Sequence, residues 1–426
     1  MDAFFKKKAA PSFLSDFLKT RAFAPKQKHF ITELTNGCLR HYIFLDAVIN
    51  RFANGAKIRP KIRNILRLGV YQTVFSEKTP PYAAVGETVS LCAGAYGGLK
   101  GFVNAVLRRA AERVSAFAQN GNAEFYAPFF SESDFANERE FLSVAYSVPL
   151  WIVNMWADDF NAAVCADLCR NQALRPGITI CANARKTARR SFEKRLASDG
   201  AGYFKTPLPN VYNISPSVPL TEMSSFKDGL FFVIDASACL AADNLRAQNG
   251  DEILDACAAP GGKSFYLAQK LTCGITSCDI SPAKIDKLRQ GRKRLGLDIK
   301  IVKQDALVFE PRFEAAFDKV LLDAPCSGLG VLRKKPDIKI NKSPADITNL
   351  AQIQLSMLKN AARYVKRGGA LLYSVCALSK QENACVVNAF LSDAARGGFT
   401  LENETYIFPE REYGDGFYTA RLKRNI

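Results

Sequence analysis

Histidine is nearly missing from this chain: His29 and His41 are the only two among 426 residues. The twelve cysteines are scattered singly with no Cys-x-x-Cys pair, so no zinc-binding spacing is present and metal chemistry is not expected. Cys165 and Cys169, four apart on a helical pattern, read as one buried helix face. Long apolar runs are missing too. The longest stretch, residues 368–378, is interrupted by Tyr373 and Ser374 and falls well short of the ~18 residues that a membrane-spanning helix requires. Behind the lysines at 6–8, Pro11-Ser12-Phe13-Leu14-Ser15-Asp16 breaks any apolar segment of the kind a secretory signal needs. A cytosolic protein with no membrane partner is therefore expected, its single cysteines serving mostly as small buried hydrophobes.

Acidic residues are the other deficit. Lys+Arg 58 against Asp+Glu 41 leaves a net charge of +17, which points to an acidic partner such as nucleic acid or an anionic membrane surface. Of that excess, +12 lies in residues 1–120. There the apolar residues recur at helical spacing (Phe44, Leu45, Val48, Ile49; Ile62, Ile65, Leu66; Val103, Val106, Leu107), so a basic helical bundle is predicted. Any single Lys or Arg reads as a solvated helix face, but the sum attracts RNA or DNA in a salt-dependent way without reading a base. Gln119-Asn120-Gly121-Asn122 and Ser131-Glu132-Ser133-Asp134 then read as breakers in a linker. The next segment, to about residue 235, predicts a small α/β unit with one helix over 151–169 and strands near 178–182, 208–214 and 230–234.

Beyond Gly250 the pattern alternates. Strands are predicted at 252–258, 275–280, 299–305, 319–323 and 369–375, helices at 263–271, 282–295, 347–365 and 380–391, and an antiparallel closing pair at 399–404 and 416–423. This is a doubly wound α/β sheet, whose ligands bind beyond the carboxyl ends of the strands.

Three strand ends carry acids and small residues. The first runs Leu254-Asp255-Ala256-Cys257-Ala258-Ala259-Pro260-Gly261-Gly262-Lys263-Ser264, where glycines let a ligand approach the backbone. A phosphate-binding P-loop would end in the same Gly262-Lys263-Ser264, and Val320-Leu321-Leu322-Asp323 resembles its partner strand, but the required first glycine is replaced by Cys257. The competing reading is a nucleoside-cofactor loop, with Asp279 placed to hold ribose hydroxyls and Asp305 to face an adenine. Each acid alone reads equally as a turn residue or helix cap. Asp323-Ala324-Pro325-Cys326-Ser327-Gly328 and Tyr373-Ser374-Val375-Cys376 end the next two strands. Neighbouring strands lie ~4.8 Å apart, so both thiols reach one pocket unless they are merely buried. A helix starting after Cys376 would favour its thiolate.

Together these motifs, with Arg333, Pro336-Asp337-Ile338-Lys339 and Glu382-Asn383, resemble those of bacterial RNA cytosine-5 methyltransferases of the RsmB (Sun/Fmu) family. Asn36-Gly37-Cys38-Leu39-Arg40, Leu66-Arg67-Leu68-Gly69-Val70-Tyr71-Gln72 and Gly101-Phe102-Val103-Asn104-Ala105-Val106-Leu107-Arg108-Arg109 are similar to the NusB-like RNA-binding domain that this family carries.

The resemblance implies a multidomain chain: an all-α NusB-like bundle over 1–125, a linker over 126–140, a small α/β RNA-binding adaptor unit over 141–235, and a Rossmann-like class I methyltransferase with a mixed seven-stranded sheet over 236–426. It implies S-adenosyl-L-methionine as cofactor, bound by Cys257, Ala258, Ala259, Pro260, Gly261, Gly262, Lys263, Asp279, Asp305 and Asp323. Cys376 matches the family nucleophile, Cys326 the cysteine that assists product release, and Asp323 the acid at the ring near N3. The implied partner is small-subunit ribosomal RNA, with transfer RNA as the alternative, and the implied form a cytoplasmic monomer. Residue 335 is Lys where the family pattern has His, residue 375 Val where Thr is common, and residue 234 Ile where Gln usually stands. An RNA-binding assembly factor with a decayed catalytic half is the non-enzymatic rival; it sits poorly with two intact cysteines and an intact loop.

Overall fold

Proline opens three helices of the basic N-terminal region, where its fixed φ is pre-set for a first turn and its missing N–H costs nothing. These are α2 (Pro25–Arg40), α4 (Pro60–Phe75) and α5 (Pro81–Ser90); α1 (Phe13–Lys19), α3 (Tyr42–Phe52) and α6 (Lys100–Ala118) accompany them. The computed structural model describes residues 13–76, 80–92, 94–118, 124–393, 398–409 and 413–425, so the lysines at 6–8 and Gln119-Asn120-Gly121-Asn122 lie outside the described residues.

Two glycines allow close helix crossings. A Cβ on Gly37 of α2 would stand 2.1 Å from the Tyr71 ring on α4, and one on Gly69 of α4 would stand 2.7 Å from Leu107 on α6. Phe44, Leu45, Val48, Leu66, Val70 and Leu107 form the fully buried centre. Arg67 enters this core because Asp46 takes it in a fork, with Nε to Oδ1 at 2.8 Å and the terminal nitrogen to Oδ2 at 2.5 Å. The expected linker is apolar in contact: Phe129 is buried, and the Phe125 ring meets Phe44 edge-on at 5.1 Å.

Asn137 caps α7 (Glu138–Ala145) by accepting the Glu140 N–H. The single helix predicted over 151–169 is two, α8 (Leu150–Asp159) and α9 (Ala162–Ala173), because Asn161 leaves helical geometry and its side chain accepts from Val164 N at 2.9 Å. Cys165 and Cys169 are both buried on α9. By contacts the chain divides into two compact units, Met1–Leu174 with Leu332–Asn341, and Arg175–Val331 with Lys342–Ile426. The residues around Pro336-Asp337-Ile338-Lys339 thus belong to the helical unit. Lys339 Nζ donates to the carbonyls of Arg40 at 2.9 Å and Ser147 at 2.8 Å, Arg40 Nε donates to Arg333 O, and Arg333 N donates to Gln172. Lys335, the departure from the family pattern, is exposed.

The second unit holds two sheets. The smaller is antiparallel, β1 (Ile178–Ala182), β2 (Ala201–Lys205), β3 (Val211–Pro216) and β4 (Phe231–Val233) in the order β2-β3-β1-β4, with α10 (Arg189–Ser198) before β2. Strand β2 and α10 escaped the sequence pattern because β2 is buried only at Ala201. Ile234, the second departure, is buried and would lie 3.5 Å from a Cβ on Gly262.

After α11 (Ala236–Asp243) the doubly wound pattern appears as β5 (Glu252–Asp255), α12 (Gly262–Lys270), β6 (Gly274–Asp279), α13 (Pro282–Leu295), β7 (Lys300–Lys303), β8 (Phe317–Asp323), α14 (Pro344–Ala362), β9 (Val365–Val375), α15 (Ala384–Leu391), β10 (Phe399–Ile407) and β11 (Phe417–Arg424). The seven strands run β10-β11-β9-β8-β5-β6-β7, with β9-β8-β5-β6-β7 mutually parallel and β11 antiparallel to β9 and β10. The chain winds outward from β5 through β6 and β7, then crosses to β8 and β9, so the order reverses between β5 and β8. Among the described residues no helix is long and apolar enough to cross a membrane.

Candidate active site at the carboxyl ends of the strands

The turn after β5 is fixed from inside. Asp255 is buried, and its Oδ2 accepts from Ser264 Oγ at 2.6 Å, which in turn accepts from Ser277 Oγ at 2.8 Å. Burial pushes the Asp255 carboxyl up to about 7, and its Oδ1 is a buried atom with no partner among the described residues. Ala258 N donates to Cys278 O at 2.7 Å, and the Ala259–Pro260 peptide is cis. Gly261 has φ +114°, and a Cβ there would press within 2.4 Å of the Phe265 ring, so this position accepts only glycine. Cys257 beside it is a thiol pushed up by burial and then by the charges of Asp255, Asp323 and Asp279. It packs against the core below the sheet end.

Lys263 is turned onto the end of the neighbouring strand. Its Nζ lies 2.7 Å from Asp323 Oδ2 and 4.8 Å from the centre of the Phe417 ring, with 8% of its side chain accessible. Burial pulls this ammonium toward the neutral form, but Asp323, the Cys376 sulfur and Asp255 outweigh it and hold the proton more tightly than usual. Asp323 keeps a third of its side chain accessible.

Beyond β6 and β7, Asp279 and Asp305 each spend one oxygen on the backbone. Asp279 Oδ1 accepts from Ser281 N at 2.9 Å ahead of α13, and Asp305 Oδ1 accepts from Leu307 N at 2.9 Å. Asp279 Oδ2 faces Lys284 at 3.7 Å. Both acids are therefore turn-forming residues first. The sequence reading missed the apolar residues they bring to the surface: Ile280 is 55% exposed and Leu307 47%. The signal was an isoleucine between an aspartate and a helix start, where burial has no use for it.

The two thiols meet. Asp323 pairs with Ser374 across β8 and β9, and from that level Cys326 and Cys376 bring their Sγ atoms to 3.2 Å. The Cys376 carbonyl accepts from Gly330 N at 3.0 Å, while Gly330 O accepts from Gly416 N at 2.9 Å. A Cβ on Gly330 would stand 2.1 Å from the Gly416 carbonyl, so the backbone behind Cys376 is clamped by two side-chain-free positions. Val375, the third departure, is fully buried on β9. The helix expected directly after Cys376 is displaced: residues 380–383 form a turn, and α15 begins only at Ala384. A cation within electrostatic reach of Cys376 is Lys263. Cys326 sits in the opposite surroundings, its thiol pushed up by the hydrogen bond to Cys376, by burial, and by the charges of Cys376, Glu382 and Asp323. One sulfur thus lies near an ammonium and the other near carboxylates.

Comparison with known proteins identifies the family. The family described as 16S rRNA methyltransferase RsmB/F matches residues 242–423, and the NusB family matches residues 2–112. The chain is 34% identical over 388 residues to the probable ribosomal RNA small subunit methyltransferase B of Bacillus subtilis, covering 89% of this chain and 83% of that protein. It is 31% identical to the ribosomal RNA small subunit methyltransferase B of Cronobacter sakazakii, covering 93% and 90%. Among solved structures, PH0851 superposes with a TM-score of 0.73 at 24% identity over 96% of this chain and 93% of that one. NSun6 from Pyrococcus horikoshii, solved with SFG, gives 0.56 at 21% over 64% and 97%.

Proposed function

This chain belongs to the RsmB/F family of 16S rRNA methyltransferases, and from that premise we propose that it methylates carbon 5 of a cytidine in small-subunit ribosomal RNA through a covalent adduct between Cys376 and carbon 6. The observation that carries the proposal is the pair of sulfurs 3.2 Å apart beside the Lys263–Asp323 pair.

The glycine turn after β5 suits S-adenosylmethionine. Its buried Asp255 oxygen lacks a donor such as the ligand's ammonium, and the exposed Ile280 offers an apolar face to an adenine. Cys257 to Lys263, Asp279 and Asp305 would hold the nucleoside and its amino-acid tail; the SFG in the NSun6 relative supports a ligand of this class. When bound, the cofactor supplies the electrophilic methyl group.

Carbon 5 of cytosine is a poor nucleophile, so the protein must first raise its electron density. Cys376 adds as thiolate to carbon 6, stabilised by the Lys263 ammonium. Asp323, its Oδ2 held by Lys263, would donate a proton from its other oxygen to the ring at N3, where negative charge develops during the addition. After methyl transfer, loss of the carbon 5 proton expels the Cys376 sulfur with help from Cys326. The target base must leave any stack to enter the site. The basic bundle over 1–125 and the adaptor region over 141–235, whose sheet begins at β1, would supply RNA backbone affinity, and the monomer in the cytoplasm is the expected working form.

Tritium release from RNA labelled at cytosine carbon 5 tests the proposal. Cys376→Ala abolishes release, whereas Cys326→Ala leaves a denaturation-resistant RNA–protein adduct; an active Cys376→Ala enzyme refutes the assignment. Bisulfite mapping of cellular RNA with and without the protein identifies the modified cytidine and separates ribosomal from transfer RNA.

A further inference from the structure

Glu382 is a fully buried carboxylate to which the chemistry above gives no task. Its Oε1 accepts from Ser327 N at 2.8 Å and from Gln354 Nε2 at 3.0 Å, and its Oε2 accepts from Ser327 Oγ at 2.5 Å. Gln354 Nε2, on α14, also donates to Pro325 O at 3.0 Å. The Tyr373 hydroxyl on β9 lies 2.6 Å from the Glu382 carbonyl and 3.1 Å from Gln354 Oε1. Pro325 and Ser327 are the residues on either side of Cys326, so the Cys326 backbone is gripped on both sides by one carboxylate, directly and through one amide. Burying a carboxylate costs several kcal/mol, and an apolar residue would fill a core at less expense. What this network achieves is a fixed direction for a thiol in a turn that passes through Gly328 at φ +77°.

We infer that Glu382 is the positioning residue that holds Cys326 against Cys376 for release of the methylated base, an inference that rests on the thiol-addition reading above. In that release step the carbon 5–hydrogen bond breaks and its electron pair forms the carbon 5–carbon 6 double bond, while the carbon 6–sulfur bond breaks with its pair going to Cys376. Cys326 gives its proton to the departing Cys376 sulfur across the 3.2 Å contact and takes up the carbon 5 proton in exchange, ending unchanged. The hydrogen bond to Cys376 and burial keep Cys326 protonated and out of competition as a nucleophile, and the charge of Glu382 adds to them. Addition and methyl transfer at Cys376 need none of this.

The test uses the full-length enzyme, a small-subunit ribosomal RNA transcript and methyl-labelled S-adenosylmethionine, and reads two quantities: methylated product per turnover, and RNA–protein adduct that survives denaturation per methyl group transferred. Glu382→Ala is expected to raise the adduct ratio about tenfold or more and to slow turnover by a similar factor, as a loosened catalytic group does. Glu382→Gln, which keeps an acceptor for Ser327, recovers part of the loss. Tyr373→Phe removes one hydroxyl from the network and shifts the ratio in the same direction by less; it carries the test alone should Glu382→Ala not fold. The adduct ratio is independent of the fraction folded. Folded variants that turn over like wild type, or that lose methyl transfer without accumulating adduct, overturn the positioning role. Failure of Cys326→Ala to trap any Cys376-dependent adduct overturns the underlying reaction instead.

Discussion

The helical unit and the carboxyl end of the large sheet both bury ionisable groups, but of opposite sign and to different effect. In the helices the buried charges are cations held by fixed acceptors: Arg67 in the fork of Asp46, and Lys339 between the carbonyls of Arg40 and Ser147. At the sheet end they are the carboxyl groups Asp255 and Glu382, near the half-buried thiols Cys326 and Cys376, with Lys263 a cation among them. The first arrangement ties helices together. The second crowds ionisable groups at one sheet end, an arrangement common at sites of chemistry.

Breaking the comparison at its reactive end gives the largest effect. Lys263→Met removes the cation from beside Cys376 and is expected to lower the rate of tritium release by about 10²–10³-fold, with the urea midpoint changed little. An equal fall in stability and rate would show that Lys263 is structural and dissolve the contrast. Next comes Asp46→Ala, which strands Arg67 inside the bundle. With Asp46 itself one-quarter accessible, the expected loss is about 2–3 kcal/mol in denaturant unfolding, while methyl transfer per folded molecule at saturating RNA is preserved. Gly37→Ala pushes a methyl into the Tyr71 ring and should cost about 1–3 kcal/mol; a neutral result would mean that α2 shifts freely on α4.

Two effects are in pH, are read as slopes per pH unit, and have opposite signs. Burial lowers the Lys339 ammonium to about 7, well under the usual ~10.4, so between those values the unfolded chain holds a proton that the folded one has lost, and stability rises with pH. Asp255, raised to about 7 from the usual ~3.9, is protonated in the folded chain and ionised in the unfolded one between those values, so there stability falls as pH rises. Each group contributes at most ~1.4 kcal/mol per pH unit. Lys339→Met should flatten the rise above pH ~7 and Asp255→Asn the fall below it, both read as midpoint against pH. A variant that shifts the whole curve without changing its slope would exclude the corresponding titration.

The reactive end was the more legible region in the sequence. Glycines at 261 and 262, acids one and two strands on, and cysteines at 326 and 376 all stand at strand ends, and a strand pattern says where those ends lie. The bundle's motifs were legible as strings, but their reason is packing: Gly37 and Gly69 are small because Tyr71 and Leu107 press against them. The break at Asn161 was hidden because the apolar spacing continues through it. Strand β2 was hidden because its exposed side chains carry no alternation. Nothing local in residues 332–341 indicates that they leave one unit for the other, since the acceptors for Lys339 lie at positions 40 and 147. The role of Glu382 was equally invisible, because its partners come from positions 327 and 354.

That ten-residue excursion has a consequence for synthesis. A ribosome makes residues up to Leu174 before Leu332–Asn341, so the helical unit lacks its last ten residues until Arg175–Val331 has also been translated. Amino-terminal helices that would otherwise finish folding as an early domain must wait with the seat of the Lys339 side chain unfilled. The carboxyl-terminal unit, likewise interrupted, cannot be cut out as one uninterrupted segment without carrying those ten residues along. Order of manufacture and order of completion are therefore different in this protein.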